Sequence, residues 1–84
     1  MWQVLYVRRA QKDMHSLEKG ISKRIWEKLE WAKENVERNF EKVEGSDYHK
    51  IRVGDYRAIV LLDRQKEIID VRRVGHRKKI YEEI

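Results

Sequence analysis

The chain has 84 residues, no cysteine and a formal net charge of +5, and 42% of its side chains are charged. This length predicts one domain, residues 1–84, near the lower size limit for a self-sufficient core. The composition excludes a disulfide framework, and no apolar run approaches the length of a transmembrane helix. We therefore expect a soluble cytoplasmic protein that does not enter a membrane and whose basic surface recognises an acidic partner such as a nucleic acid.

The first half of the chain predicts one strand followed by two helices. Trp2 to Val7 is a short apolar run typical of a strand, and Arg8 to Lys19 carries apolar residues at helical spacing. Gly20 fits the end of this first helix. Apolar residues then recur every three or four positions from Ile21 to Phe40, which predicts one long amphipathic helix. The two helices form a hairpin whose apolar side needs a sheet to cover.

The second half of the chain supplies that sheet. Three segments rich in Ile, Val or Tyr predict strands, at His49 to Val53, Tyr56 to Leu62 and Glu67 to Val74. Gly54-Asp55 suits a two-residue type II′ hairpin turn, and Asp63 to Lys66 is a polar four-residue turn. A polar tail with room for a closing helical turn follows. The order predicts an α+β fold: a strand, a two-helix hairpin and an antiparallel three-strand meander, with the helices on one face of one sheet.

The turn at Gly54-Asp55 also predicts which side chains share a face of the sheet. It pairs Arg52 with Arg57 and places both, with Lys50, on the face away from the helices, although a slip of one residue would exchange the faces. The next turn then places Arg72 beside Arg57. Like charges opposite each other on paired strands are destabilising. A face that collects cations without matching carboxylates therefore indicates that a polyanion binds there.

Two blocks of the sequence carry a resemblance to a known family. The first is Lys50-Ile-Arg-Val-Gly-Asp-Tyr-Arg57, and the second is Val74-Gly-His-Arg77 followed by Tyr81. In order and separation they resemble the RelE toxins of the RelE/ParE superfamily. The strand and helical hairpin before Glu41 also fit that family's fold. The two blocks together are fairly specific, whereas either block alone would be a weak signal.

The resemblance implies a toxin that cuts messenger RNA in the ribosomal A site without a metal ion or cofactor. The ribose 2′-OH attacks the adjacent phosphate, which leaves a 2′,3′-cyclic phosphate and a free 5′-OH. By matching position, the resemblance assigns catalysis to two basic residues of one strand, two arginines that stabilise phosphate charge or donate a proton, and a tyrosine that stacks on a base: Lys50, Arg52, Arg57, Arg77 and Tyr81. RNA binding is assigned to Arg72, Arg73, His76 and Lys78. The three histidines lack metal-ligand spacing.

One position departs from the family pattern. The best-understood members have a second lysine where this chain has Arg52, and an arginine is effectively never deprotonated. If the reaction needs a neutral amine to remove the 2′-OH proton, Lys50 must therefore supply it.

The resemblance also implies a partner, a cognate RelB-type antitoxin whose acidic, partly disordered segment wraps the basic domain. Two alternative functions stay open. ParE-like toxins share the fold and inhibit DNA gyrase, but they usually lack the late arginine and tyrosine, so Arg77 and Tyr81 favour the nuclease. A catalytically weak module that binds RNA or antitoxin is the other alternative, and Arg52 is the feature in its favour. Trp26 and Trp31 lie on the helical hairpin, so we interpret them as core or partner-groove residues rather than base-stacking platforms.

Overall fold

The helical layer of the protein follows a short first strand, β1 (Gln3–Tyr6). The computed structural model describes residues 1–80. Its helical layer consists of four elements in chain order: α1 (Arg8–Ser16), α2 (Lys19–Ala32), a 3-10 turn (Lys33–Asn35) and α3 (Val36–Asn39). The first strand and the helical hairpin are therefore confirmed.

Two helix boundaries differ from the prediction. Gly20 does not end the first helix but lies in the first turn of α2, because Leu17 is already extended and packs against the core. The predicted long helix is interrupted after Ala32. There the backbone of Asn35 leaves the helical region, and its side-chain oxygen accepts a hydrogen bond of 3.1 Å from the N–H of Arg38. An asparagine cap of this kind starts a new helix instead of continuing the old one.

The sheet has five strands in the order β1-β5-β4-β3-β2. Its later strands and the last described helix are β2 (Glu41–Lys42), β3 (His49–Val53), β4 (Tyr56–Asp63), β5 (Ile68–His76) and α4 (Arg77–Ile80). The meander β3-β4-β5 is antiparallel as predicted, whereas β1 runs parallel to β5 at the edge. A parallel neighbour requires a crossover connection, and the helical hairpin provides it. The two-residue strand β2 was not predicted.

The main core lies between the helices and one face of the sheet. The predicted apolar stripe supplies the helical side of this core, with Ile25, Leu29, Ala32, Val36 and Phe40 all buried. The sheet supplies alternate residues of its strands: Ile51, Ala58, Val60, Ile69, Val71 and Val74. We call the opposite face of the sheet the outer face.

The register between β3 and β4 is the predicted one. Arg52 lies opposite Arg57, and Val53 lies opposite Tyr56. Gly54 has a φ of 58° while Asp55 has no positive φ, as a type II′ turn requires. Lys50, Arg52 and Arg57 therefore alternate with buried core residues and belong to the outer face.

The predicted register between β4 and β5 is wrong, because Arg57 lies opposite Gly75 instead of Arg72. The Asp63 carboxylate accepts hydrogen bonds from the backbone N–H groups of Gln65 and Lys66, so β4 continues through Asp63 and the turn comes one residue later than predicted. A β-bulge then inserts one more residue into β5, since Val60 faces Val71 while Ile59 faces Arg73.

Helix α4 covers part of the outer face. Its Ile80 is 2% exposed, and Ile59 on the outer face of β4 is fully buried. Gly75 makes room for the helix, because a Cβ atom at this position would lie 3.3 Å from Cδ1 of Ile80. A small second apolar cluster, formed by Ile59 and Ile80, thus lies next to the outer-face cations.

Candidate functional site

Arg57 is held against the turn that joins β3 and β4. It is 8% exposed, which makes it the only buried charged residue among residues 1–80. Its Nη1 donates hydrogen bonds of 2.9 Å to the carbonyl of Gly54 and 2.8 Å to the carbonyl of Tyr56. A guanidinium carries five N–H donors, so these two bonds fix its position without engaging Nε or Nη2. The result is a preorganised cation.

Two further cations accompany Arg57. Arg52 lies directly opposite on β3 and is exposed, and Lys50 lies two residues earlier on the same strand. We call Lys50, Arg52 and Arg57 the cation cluster. All three line one hollow of about 570 Å³, which we call the β3 hollow. Strand β2 pairs only with His49 and Lys50, so the rest of β3 forms an open edge along which the β3 hollow extends.

Arg77 contacts the same turn as Arg57. Its backbone N–H donates a 2.8 Å hydrogen bond to the carbonyl of Asp55, and its Nε lies 4.0 Å from the Asp55 carboxylate. Arg77 is the first residue of α4, so the packing of Ile80 on the outer face determines where this arginine lies. Of the five residues assigned to catalysis, three therefore line one hollow and Arg77 lies at the adjoining turn. Tyr81, the fifth, lies outside the described residues.

The residues assigned to RNA binding are dispersed. Arg72 lies at the bulge and contacts Asp70, with Nη1 3.2 Å from Oδ2. Arg73 is bound to Asp13 of α1, with Nε 2.8 Å from Oδ2, and the same carboxylate oxygen accepts a 2.9 Å hydrogen bond from the N–H of Val74. Asp13 thus covers the edge of β5 beyond the end of β1. Neither Arg72 nor Arg73 lines the β3 hollow.

His76 faces the helical side of the sheet. It lies opposite Tyr56, with the two rings 5.5 Å apart and nearly perpendicular, and its Nδ1 accepts a hydrogen bond from the N–H of Lys78. The two rings border a separate hollow of about 510 Å³ that also includes Arg24. Lys78 itself is exposed on α4. His76 and the cation cluster therefore lie on opposite faces of the sheet.

The helices add four residues to the β3 hollow that we did not assign from the sequence. These are Lys28 and Trp31 of α2 and Arg38 and Asn39 of α3. Trp31 is 51% exposed, so its interpretation as a core residue is wrong. The signal in the sequence was its place beside the apolar stripe, two residues after the buried Leu29. Trp26 is equally exposed, but it borders a different groove with Leu5 and Met14.

The described groups with shifted pKa values do not line the β3 hollow. Burial lowers the pKa of His49, and the nearby cations Arg64 and Lys42 lower it further. Hydrogen bonding to Arg64 lowers the pKa of Glu37. Burial, helped by the Glu30 carboxylate, raises the pKa of Tyr6 to about 12. Titration of these groups should therefore alter stability more than chemistry at the cluster.

Residues 1–80 were the part of the protein in which a metal site or a membrane-spanning helix could be recognised. No three His, Asp or Glu side chains in this part of the chain lie close enough together to hold a metal ion. None of the helices described is both long and apolar enough to cross a membrane.

The chain is similar to known toxins in both sequence and structure. The family model of the ParE toxin of the type II toxin–antitoxin system parDE matches residues 4–81. The toxin chain of the RelB–RelE antitoxin–toxin complex from Methanococcus jannaschii is 31% identical, with a TM-score of 0.71, and the match covers 93% of this chain and 95% of that one. A comparison with curated protein sequences gives no match.

Two more solved structures have the same fold. In the intact RelBE toxin–antitoxin complex from Escherichia coli, the matched chain is 25% identical with a TM-score of 0.76, and the match covers 90% of this chain and 96% of that one. The archaeal RelE–RelB complex from Pyrococcus horikoshii gives 22% identity and a TM-score of 0.77, over 93% of this chain and 97% of that one. The chain therefore belongs to the RelE/ParE superfamily of type II toxin–antitoxin toxins.

Proposed function

We propose that this toxin is a ribosome-dependent endoribonuclease that cleaves messenger RNA in the ribosomal A site and so stops translation. The observation that carries the proposal is the convergence of Lys50, Arg52 and Arg57 on the β3 hollow, with Arg77 at the adjoining turn. RNA cleavage through the ribose 2′-OH needs a proton acceptor, positive charge at the phosphorane and a proton donor to the leaving oxygen. A set of cationic side chains can supply all three without a metal ion.

Each residue of the set has a distinct role in the proposed reaction. Lys50, as the neutral amine, removes the proton from the 2′-OH, because the guanidinium of Arg52 cannot accept one. Arg52 binds the phosphate. Arg57 donates to the phosphorane oxygens from a position that its carbonyl hydrogen bonds fix before substrate arrives.

The new P–O2′ bond forms as the P–O5′ bond breaks. The leaving O5′, a strongly basic alkoxide, takes up a proton from the Arg77 guanidinium, which then regains one from water. We retain Tyr81 as the residue that stacks on a base, from its match to the family pattern. The products are a 2′,3′-cyclic phosphate on one fragment and a 5′-OH on the other.

Primer extension on a reporter messenger RNA in a cell-free translation reaction tests this function. The reaction is run with wild-type protein, Arg57→Ala, Arg77→Ala and Arg64→Ala, each with and without ribosomes. We expect new 5′ ends that require ribosomes, vanish in the first two variants and persist in Arg64→Ala, whose arginine pairs with Glu37 away from the cluster. An intact message with normal translation would exclude the nuclease.

Inhibition of DNA gyrase is the second candidate function. The observation in its favour is the family model, which describes the ParE toxin. A supercoiling assay with purified gyrase separates the two candidates. Loss of supercoiling together with intact messenger RNA would select the gyrase inhibitor, whereas message cleavage with normal supercoiling would select the nuclease.

We also infer a RelB-type antitoxin as the partner of this toxin. The similar structures from Methanococcus jannaschii, Escherichia coli and Pyrococcus horikoshii are toxin–antitoxin complexes. A net charge of +5 favours a partner with an acidic segment. Co-expression with the product of the neighbouring gene tests the inference: co-purification and relief of growth arrest are expected, and failure of both would contradict it.

A further inference from the structure

We propose that Trp31, with Lys28 and Arg38, forms a second RNA subsite, in which the indole stacks on a base next to the cleaved nucleotide. The inference rests on the proposed function and extends its substrate site from the outer face of the sheet, around the open edge of β3, onto the helical layer. Trp31 is a binding residue in this subsite and takes no part in the chemistry. Lys28 and Arg38 contact the backbone phosphates on either side of the stacked base.

The surface around Trp31 is continuous with the cation cluster. Trp31 and Arg38 line the same β3 hollow of about 570 Å³ as the cation cluster. They also line a second hollow of about 320 Å³, against Glu34 and Asn35. The indole is therefore part of the walls of two adjoining concavities. A strand of RNA whose phosphate lies on Arg57 has a path from one concavity to the other past this side chain.

The second support is the charge around the indole. Five of the described residues that line the β3 hollow are cations and one, Glu41, is an anion; the cations are Lys28, Arg38, Lys50, Arg52 and Arg57. An apolar peptide would gain little binding free energy from such a charged lining. A positively charged groove that contains an exposed aromatic side chain is the arrangement by which proteins bind single-stranded nucleic acid. RNA is therefore the occupant that the residues favour.

The third support is the position of Lys28. Its Nζ lies 4.6 Å from the centroid of the Trp31 ring. The ammonium lies over the face of the ring, in a cation–π contact. A base that stacks on this face displaces the ammonium, which then pairs with the phosphate of the stacked nucleotide. Trp31 is 51% exposed, so about half of its surface is accessible to a base.

Trp26 provides a matched control on the same helix. It has the same exposure of 51%, but it borders a different groove, in which Val4, Leu5 and Met14 of β1 and α1 accompany Lys19 and Lys23 of α2. Trp26 does not line the β3 hollow. Removing either indole deletes a half-exposed aromatic side chain from α2, so the two variants differ in the groove that is affected rather than in the kind of change.

Fluorescence anisotropy with a labelled, 2′-O-methylated RNA decamer measures binding without cleavage. The decamer is compared with a version that lacks its bases at the central positions, for wild-type protein, Trp31→Ala and Trp26→Ala. Stacking on an exposed base contributes roughly 5- to 150-fold in affinity. We expect Trp31→Ala to weaken binding of the complete strand within this range and binding of the abasic strand by less than about twofold. Trp26→Ala should change neither by more than about twofold.

Several results would overturn the subsite. They are no binding of the decamer by wild-type protein, equal affinities of the two variants, or an equal loss on the abasic strand. Loss of poly-L-glutamate binding in Trp31→Ala with unchanged RNA binding would assign the surface to an acidic polypeptide instead. Melting temperatures of both variants show whether either change acts through folding.

The cleavage assay separates this inference from the proposed function. Ribosome-dependent cleavage with no difference between Trp31→Ala and Trp26→Ala in RNA binding would preserve the nuclease and remove the subsite. If Trp31 stacks on bases but the protein leaves messenger RNA intact, the subsite stands and the nuclease is excluded.

Discussion

The two faces of the sheet are built in different ways. The face towards the helices is closed by a continuous apolar core, in which Leu29, Ala58 and Val60 are fully buried. On the outer face, the fully buried apolar side chains among residues 1–80 are those of a small cluster, Ile59 and Ile80, and Arg57 lies beside it. The helical face thus supplies most of the burial that stabilises the fold, which lets the outer face carry groups that do not favour folding.

Arg57 illustrates this division. Burying a charge is unfavourable unless hydrogen bonds compensate for the lost water. Arg57 donates hydrogen bonds to two backbone carbonyls in this environment, and another arginine lies opposite on the neighbouring strand. Such an arrangement is destabilising in the free protein and becomes favourable when an anion binds. The comparison predicts that changes on the outer face affect activity first and that changes on the helical face affect stability first.

The largest expected effect is that of Arg57→Ala on cleavage. Loss of one preorganised donor to a developing anion reduces turnover about 100- to 1000-fold. Arg57→Lys should recover only part of this activity, because an ammonium group cannot span the carbonyls and a phosphate in the way that a planar guanidinium does. The measurement is the rate of message cleavage in cell-free translation, with Arg64→Ala as the control. Wild-type rates in Arg57→Ala would show that the buried arginine is structural.

Leu29→Ala and Ile80→Ala compare the two faces directly. Leu29→Ala should lower the free energy of unfolding by about 2–5 kcal/mol, since it opens a cavity in the main core, and should leave the activity of the folded fraction unchanged. Ile80→Ala should lower stability less, because the side chain packs on the smaller outer cluster, yet it should reduce activity by releasing α4 and with it Arg77. Urea denaturation and cleavage rates check both. Equal cleavage rates of Leu29→Ala and Ile80→Ala, compared at the same concentration of folded protein, would contradict this division of roles between the two faces.

Asp13 should make a smaller contribution to stability than Leu29. Asp13→Ala removes the acceptor for the Val74 N–H and the ion-pair partner of Arg73, so we expect a loss of about 1–3 kcal/mol in the free energy of unfolding. Asp13→Asn keeps an acceptor oxygen and should lose less. Chemical denaturation measures both variants. If Asp13→Ala leaves the free energy of unfolding unchanged, water replaces the carboxylate at the edge of β5.

The smallest effect is a pH dependence of stability that arises from His49. Its pKa is lowered in the folded protein, chiefly by burial, so the unfolded chain binds a proton more readily. Stability should therefore be constant above the unfolded pKa of about 6.5 and decrease as the pH falls below it. His49→Gln should remove this component, while His15→Gln, on the exposed surface of α1, should retain it. Melting temperatures between pH 5 and about pH 8 test the prediction.

The parts of the fold that could be predicted are those with strong local signals. The β3–β4 register followed from Gly54-Asp55, because a two-residue turn with glycine first leaves one pairing. The β4–β5 register did not follow, since the bulge near Ile59 has no sequence mark and the carboxylate of Asp63 moves the turn. The break after Ala32 was hidden because the apolar spacing continues through Val36.

The candidate site was predicted in part for the same reason. Arg52 and Arg57 come together through the β3–β4 turn, so their pairing could be read from adjacent residues. Trp31 could not be placed, because its surroundings depend on how α2 lies against the edge of β3. The crossing of a helix over a strand edge is a tertiary feature that spacing along the chain does not record.

The parallel pairing of β1 with β5 affects when the protein becomes active during its own synthesis. Gln3 of β1 leaves the ribosome well before Ile68, its partner on β5. Until β5 emerges, β1 has no neighbour in the sheet, β4 lacks one of its two neighbours, and Gly75 and Ile80 are not yet present beside Arg57. At about 5–20 residues per second, an unfinished chain spends several seconds without an assembled site. The site to which we assign the proposed cleavage is therefore complete only after the last strand of the sheet has been made.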